Sequence, residues 1–147
     1  MVYPADLFEL SFASYLVKNE VDHCLAKQAV RLGVSLMELK ALWIAVKFGE
    51  ITLIELARLT ARPKDEYVQV MESLEADGLI ARDTGDDTKK CVYSPTEQGR
   101  KTIELLADCP HTHCRVKSID SQVIKGFVEL AHRLVAAFRG TDVSEKP

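Results

Sequence analysis

The feature that most constrains this chain is a change of hydrophobic periodicity at Gly78. Between Asp6 and Gly78, apolar residues recur every three or four positions, which is the spacing of one face of an α-helix. Beyond Gly78, two short strand candidates at 79–82 and 90–93 are separated by a turn-rich stretch over 83–88. The sequence therefore predicts a mainly α chain with one small β-hairpin.

Capping signals divide the helical part into four helices. A long first helix is predicted over 6–32, because Gly33 can end it. The second and third helices each begin with a hydroxyl residue followed three positions later by a glutamate, which is the capping-box pattern. The pairs are Ser35 with Glu38 and Thr52 with Glu55. Pro63 suits the first turn of the fourth helix, which Gly78 ends.

Two further helices follow the hairpin. The fifth is predicted to open at Thr96 and to be broken by Cys109–Pro110, and the last is capped by Ser118 or Asp120. The first and last helices are more apolar than one flank of a small core needs, so we expect them to pack against a second copy. The alternative is two ordinary core helices. The expected dimerisation residues are Phe8, Phe12, Phe127, Leu134 and Phe138.

Composition sets the class of protein. The chain has 147 residues, of which 47% are apolar and 28% charged, as in an ordinary globular domain. It has no apolar run near the roughly 20 residues of a membrane span, and residues 1–10 do not resemble a signal peptide. We therefore expect a cytoplasmic protein with no membrane partner. In that compartment, four cysteines are expected as thiols, metal ligands or redox sensors.

The net charge of −3 lies entirely in the central part of the chain. Residues 50–101 contain eight basic and eleven acidic side chains, whereas the two flanking regions are balanced. A strongly basic domain would indicate a nucleic-acid partner, and this charge does not. DNA binding therefore needs other support.

That support comes from five short motifs. They are Leu-Ala-Arg-Leu-Thr at 56–60, Pro-Lys-Asp-Glu-Tyr-Val-Gln at 63–69, Leu-Glu-Ala-Asp-Gly-Leu-Ile-Ala-Arg at 74–82, Asp-Thr-Lys at 87–89 and Thr-Glu-Gln-Gly-Arg at 96–100. Together they resemble the MarR family of bacterial transcriptional regulators. The likeness covers residues 35–106 by motif and the whole chain by helix order. It implies a winged helix-turn-helix with N- and C-terminal dimerisation helices.

The resemblance implies a homodimer that places one recognition helix and one wing from each protomer on a near-palindromic double-stranded DNA operator. The implied regions are dimerisation helices at 1–34 and 102–140, a DNA-binding region at 35–101, a recognition helix at about 63–77, a wing at about 83–90 and a polar tail at 141–147. Together they would form one intertwined domain. A small-molecule effector, a metal or an oxidant would change the distance between the two recognition helices.

The implied DNA-binding residues lie on three elements. They are Thr52 before the third helix, Arg62 in the turn, Lys64, Asp65, Glu66, Val68 and Gln69 on the recognition helix, and Arg82, Asp87, Lys89 and Lys90 at the wing. Asp65 and Glu66 depart from the small hydroxyl residues usual in the family, and phosphates repel them. Either they stabilise the positive end of the helix dipole, or they accept a hydrogen bond from cytosine N4.

Two thiols and two imidazoles lie within six residues, at Cys109, His111, His113 and Cys114. These are ligands that zinc and copper prefer, although six residues do not readily wrap all four groups around one ion. Three interpretations stay open: a metal site, a redox switch of the two thiols, and a polar loop with incidental cysteines.

Other functions are less well supported by the sequence. No glycine-rich phosphate loop, nucleophile elbow or His-Glu-x-x-His helix indicates an enzyme. A winged-helix module that binds a protein partner, as an anti-regulator, is the alternative function, and the acidic central region favours it. Trp43, Phe8, Phe12 and Tyr15 are expected in the core rather than in a ligand cleft.

Overall fold

The computed structural model describes residues 1–84, 91–107 and 119–140, and the chain divides into two compact units, Met1–Cys109 and Pro110–Pro147. The first unit contains α1 (Pro4–Leu32), α2 (Leu36–Phe48), α3 (Leu53–Thr60), α4 (Lys64–Ala76), β1 (Ile80–Asp83), β2 (Val92–Pro95) and α5 (Glu97–Ala107). The second contains α6 (Ser121–Arg139). The predicted mainly α fold with one hairpin is confirmed.

Both predicted capping boxes form. The Ser35 hydroxyl accepts a hydrogen bond from the Glu38 amide at 3.1 Å, and the Glu38 carboxylate accepts one from the Ser35 amide at 3.3 Å. At α3, the corresponding distances between Thr52 and Glu55 are 3.2 and 2.9 Å. Each pair satisfies two backbone N–H groups that a helix start would leave unpaired.

The predicted boundaries of four elements were wrong by one or two residues. α1 begins at Pro4 instead of Asp6. Pro63 is the N-cap of α4 rather than part of its first turn. β1 begins at Ile80 instead of Leu79, whose amide donates to the Leu74 carbonyl at the end of α4 at 3.0 Å. β2 runs over Val92–Pro95 instead of 90–93, and Tyr93 exchanges two backbone hydrogen bonds of 2.8 Å with Ile51. This contact with the chain before α3 aligns β2 with β1.

The core of the first unit lies where α4 packs against α2, α3 and β1. Six large side chains are fully buried there: Leu42, Ile51, Leu56, Met71, Leu74 and Ile80. They come from every element between α2 and β1, so the helix-turn-helix region and the base of the hairpin share one core. Their burial fixes which face of α4 points outward.

The start of α5 is fastened to the turn before β1. The Thr96 hydroxyl donates to the Gly78 carbonyl at 2.6 Å and accepts from the Gly99 amide at 3.1 Å. A Cβ atom at Gly99 would lie 2.1 Å from the Leu79 carbonyl oxygen, so only glycine allows this approach. The Thr-Glu-x-Gly pattern therefore allows α5 to pack closely against the start of the hairpin.

Most of α1 does not contribute to the core. Its residues up to Val21 are exposed, whereas Ala29 near its end is buried. The expectation that Phe8, Phe12 and Tyr15 are core residues was wrong within one chain, because their exposed fractions are 75%, 61% and 62%. Trp43 is half exposed, and the Lys47 ammonium lies 5.0 Å from its ring centroid.

In the second unit, α6 is capped by Asp120, one of the two predicted caps, and the Asp120 carboxylate accepts a hydrogen bond from the Gln122 amide at 2.9 Å. The C-cap is Gly140, which adopts a left-handed conformation with φ 64°. Among the residues that the structure describes, no helix is both long and apolar enough to cross a membrane.

Candidate nucleic-acid interface

The candidate interface is the outer face of α4 together with the turn before it and the first hairpin strand after it. Tyr67, Val70, Met71 and Leu74 face the core, and the residues between them are turned outward. The exposed residues of this helix are Lys64, Asp65, Glu66, Val68, Gln69, Glu72 and Ala76. Five of these seven were predicted as DNA-contacting residues, and the structure places all five on the surface.

A tight turn orients α4 relative to α3. Ala61 adopts φ 53°, and it is the one residue other than glycine with a positive φ in the part of the chain that the structure describes. Its amide and that of Arg62 both donate to the Ala57 carbonyl, the latter at 3.1 Å. A left-handed alanine costs roughly 1–2 kcal/mol, which the packing of α3 on α4 offsets.

Arg62 lies just before α4, at one end of this face, and it forms an ion pair with a side chain of α4. Its guanidinium donates to the Glu66 carboxylate at 3.1 Å. Both side chains are about half exposed, at 52% for Arg62 and 44% for Glu66. Glu66 therefore has a partner that neither sequence-based explanation of its presence considered.

Arg82 lies on β1 and is paired in the same way at the other end of α4. Its Nε atom lies 3.5 Å from the Glu75 carboxylate oxygen, and both side chains are partly exposed. Arg82 is also the cross-strand neighbour of the buried Tyr93 on β2. Burial raises the pKa of Tyr93, and the nearby Cys91 and Glu75 raise it further, while Arg82 lowers it in part. Arg82 thus connects α4 to both hairpin strands.

The remaining cations near the interface differ from these two arginines. Lys64 opens α4, Arg58 lies on α3, and both are exposed. Neither takes part in an ion pair within residues 1–84, 91–107 and 119–140. Thr52 is half-buried and its hydroxyl caps α3, so its acceptor function is already used by the Glu55 amide.

Other predicted site residues lie outside the described residues. These are Asp87, Lys89 and Lys90 of the wing and Cys109, His111, His113 and Cys114 of the cysteine and histidine cluster. Within the described ranges, no group of three or more histidine, cysteine or acidic side chains could hold a metal ion.

Sequence reasoning missed Glu75. The residue lies at the end of α4, seven positions before Arg82, and the helix ends between the two. The turn through Gly78, which adopts φ 73°, reverses the chain and brings them together. The one available signal was the pair of opposite charges flanking an Asp-Gly turn.

No family model and no curated protein matches this sequence. Solved structures do match. AbfR of Staphylococcus epidermidis is 15% identical, with a TM-score of 0.74 over 90% of this chain and 93% of that chain. A MarR-family transcriptional regulator from Silicibacter pomeroyi is 22% identical, with a TM-score of 0.66 over 92% and 96%. Reduced AbfR bound to DNA is 17% identical, with a TM-score of 0.61 over 90% and 93%. This chain therefore has the winged-helix fold of the MarR-family regulators.

Proposed function

We propose that this chain is a homodimeric, DNA-binding transcriptional regulator of the MarR type, with α4 as its recognition helix and the hairpin as its wing. The observation that supports this most is the outward face of α4, which is exposed, polar and supported from behind by a fully buried core. Among the similar folds is reduced AbfR, whose structure contains DNA.

The dimensions of α4 suit this role. Its 13 residues span about 20 Å at the usual rise of an α-helix. The major groove is about 12 Å wide and accepts one helix with side chains of moderate size. Lys64, Gln69 and Val68 would offer the groove a cation, an amide and a methyl-bearing side chain, which are chemically distinct contacts to base edges and phosphates.

Dimerisation is supported by α1, whose exposed surface is unusual for a monomer. Large apolar side chains are exposed along its first two thirds: Leu7, Phe8, Leu10, Phe12, Tyr15, Leu16, Val17 and Val21. Contiguous exposed apolar surface marks an interaction site, and an identical α1 offers a matching surface. In α6, Phe127 and Phe138 are exposed by 50% and 66%, and with Leu134 they were predicted to contribute to the same interface.

The charge distribution predicts weak, salt-sensitive DNA binding. The acidic side chains of residues 50–101 outnumber the basic ones, but screening over about 8–10 Å lets local cations matter more than the total. Lys64, Arg58 and the predicted wing residues Lys89 and Lys90 would supply these cations. Each phosphate contact releases counterions, so affinity should fall steeply with added salt.

In this proposal, the segment 109–114 is the part of the regulator that senses a metal or an oxidant. Its thiols and imidazoles fit a zinc-type metal or an oxidant, and a small-molecule effector is the further possibility that the fold family implies. Metal analysis and oxidant treatment of the untagged protein beside a C109S/C114S variant test the first two. Negligible metal in both proteins, with no oxidant response, would leave the segment as a polar loop with incidental cysteines.

DNA binding is tested by titrating the purified protein against genomic DNA fragments at low salt, beside a random-sequence control. Selective retention of some fragments, weakened by salt and lost in a K89A/K90A variant, would support an operator-binding regulator. Failure to bind any fragment above the control would refute it. A protein partner captured with little salt dependence, and retained by the K89A/K90A variant, would support the anti-regulator instead.

A further inference from the structure

The two arginines that border α4 are both held by carboxylates of that same helix. Arg62 precedes the helix and pairs with Glu66 at 3.1 Å, while Arg82 follows it and pairs with Glu75 at 3.5 Å. Lys64 at the helix start has no ion pair among the residues that the structure describes. The strongest phosphate-binding side chains at this face are thus the two already occupied.

We propose that Glu66 and Glu75 act as internal competitors of DNA phosphate, so that the chain binds DNA only by exchanging both ion pairs. This inference rests on the proposed DNA-binding function. It assigns the two glutamates a role in setting affinity, whereas the sequence suggested only dipole stabilisation or base contact for Glu66 and nothing for Glu75.

The geometry favours exchange over permanent pairing. A guanidinium binds a carboxylate and a phosphate through the same planar array of donors, so one anion can replace the other. The four side chains are exposed by 36–52%, which leaves the arginines within reach of an approaching duplex. Exposed pairs of this kind contribute little to stability, so the fold does not depend on keeping them.

The two pairs also differ in a way that predicts different effects. Arg62 precedes α4 and pairs with Glu66 in the first turn of that helix. Arg82 is additionally the cross-strand neighbour of Tyr93 in the hairpin, so the loss of Glu75 leaves this neighbour in place. Removing Glu66 should therefore free its arginine more completely than removing Glu75.

The test is a double-mutant cycle on the full chain, with a labelled random-sequence DNA duplex as the probe. We expect E66Q to bind the duplex about two- to fivefold more tightly than wild type at low salt, and E75Q to show a smaller gain, because exposed ion pairs are of this strength. In an R62Q background, E66Q should give a clearly smaller gain, and R82Q should reduce the effect of E75Q. Each variant is checked for an unchanged thermal transition.

A matched control is Glu72, another exposed carboxylate of α4 that has no cation partner within the described residues. E72Q removes the same charge without releasing an arginine, and its gain should be the same with and without Arg62. Equal gains for E66Q in the wild-type and R62Q backgrounds would overturn the competition, because the glutamate would then act only through its charge.

The outcomes separate this inference from the proposed function. If wild type binds the duplex and neither E66Q nor E75Q binds it more tightly, the competition is refuted and DNA binding stands. If only the glutamine variants bind, the competition is supported in its strongest form. If no folded protein in the set binds duplex even at low salt, the DNA-binding function itself is refuted.

Discussion

The helices α4 and α1 differ in where their apolar side chains lie: most are buried in α4, whereas most are exposed in the first two thirds of α1. In α4, four of them are buried and polar residues occupy most of the outward face. In the first two thirds of α1, eight large apolar side chains are exposed, among them Phe8 and Phe12. Both helices belong to the same compact unit, Met1–Cys109, so one unit contains both a helix with a buried apolar face and a helix with an exposed one.

The contrast indicates which parts of the fold are complete within one chain. The core around α4 needs no other molecule, because residues from α2 to β1 close around it. The exposed part of α1 has no such cover among the described residues of its own unit, and its apolar area would cost free energy in water if it stayed exposed. We therefore expect α4 substitutions to act within a protomer and α1 substitutions to act between protomers.

The largest effect is expected inside α4. Met71 is fully buried, and M71A should lower the free energy of unfolding by about 2–5 kcal/mol because it leaves a cavity. Thermal and denaturant unfolding at a fixed protein concentration measure this. V68A is the matched control on the outward face of the same helix and should change stability by less than about 0.5 kcal/mol. Equal losses in both variants would contradict the assigned faces of α4.

The next effect tests α1. F12D places a charge in the proposed dimer interface and should raise the dimer dissociation constant about 30-fold or more, as expected for a buried aromatic anchor. Sedimentation equilibrium measures this constant, and E9Q on the same helix is the control. A wild-type protein that stays monomeric at high concentration, or an F12D protein that dimerises as tightly as wild type, would show that α1 is not the interface.

The smallest effect concerns Asp22, which joins the second half of α1 to α2. Asp22 accepts hydrogen bonds from Lys18, at 2.6 Å, and from Lys40 on α2. Burial raises the pKa of Asp22, but the two lysines outweigh it and leave the pKa below its usual 3.8. D22N should cost about 1 kcal/mol at neutral pH, since two partly exposed ion pairs are lost.

The pH dependence of this effect follows from the direction of the shift. Because the folded pKa is lowered, the stabilisation by Asp22 is present above the unfolded value of about 4 and is lost as the pH falls through the folded value. The stability difference between wild type and D22N should therefore shrink below about pH 4. E20Q, an exposed neighbour, serves as the control, and a difference independent of pH would contradict the role of the Asp22 charge.

Features that depend on near neighbours could be predicted from the sequence. The capping boxes at Ser35 and Thr52 were predicted because each involves two residues three positions apart. The outward positions of α4 followed from its helical period. The register of β2 did not, because its alignment depends on Tyr93 meeting Ile51, more than 40 residues earlier in the chain.

In the candidate site too, contacts between residues close in sequence could be predicted, and contacts between distant residues could not. Lys64, Val68 and Gln69 could be placed on one face from spacing alone. The pairing of Arg82 with Glu75 could not, because it depends on how the turn at Gly78 reverses the chain. Trp43 was expected in the core since its position fits the apolar stripe of α2, yet half of its surface is exposed.

By itself, the sequence determined the order of the helices, the capping boxes at Ser35 and Thr52, and the presence of a hairpin after α4. These features arise from hydrogen bonds and side-chain spacing within about four residues. Only the tertiary structure decided which apolar faces are covered, how β2 aligns, and which anions hold Arg62 and Arg82. Those outcomes depend on which surfaces the folded backbone brings together. The free energy of each contact depends on its burial, and burial is decided by residues that are distant in the sequence.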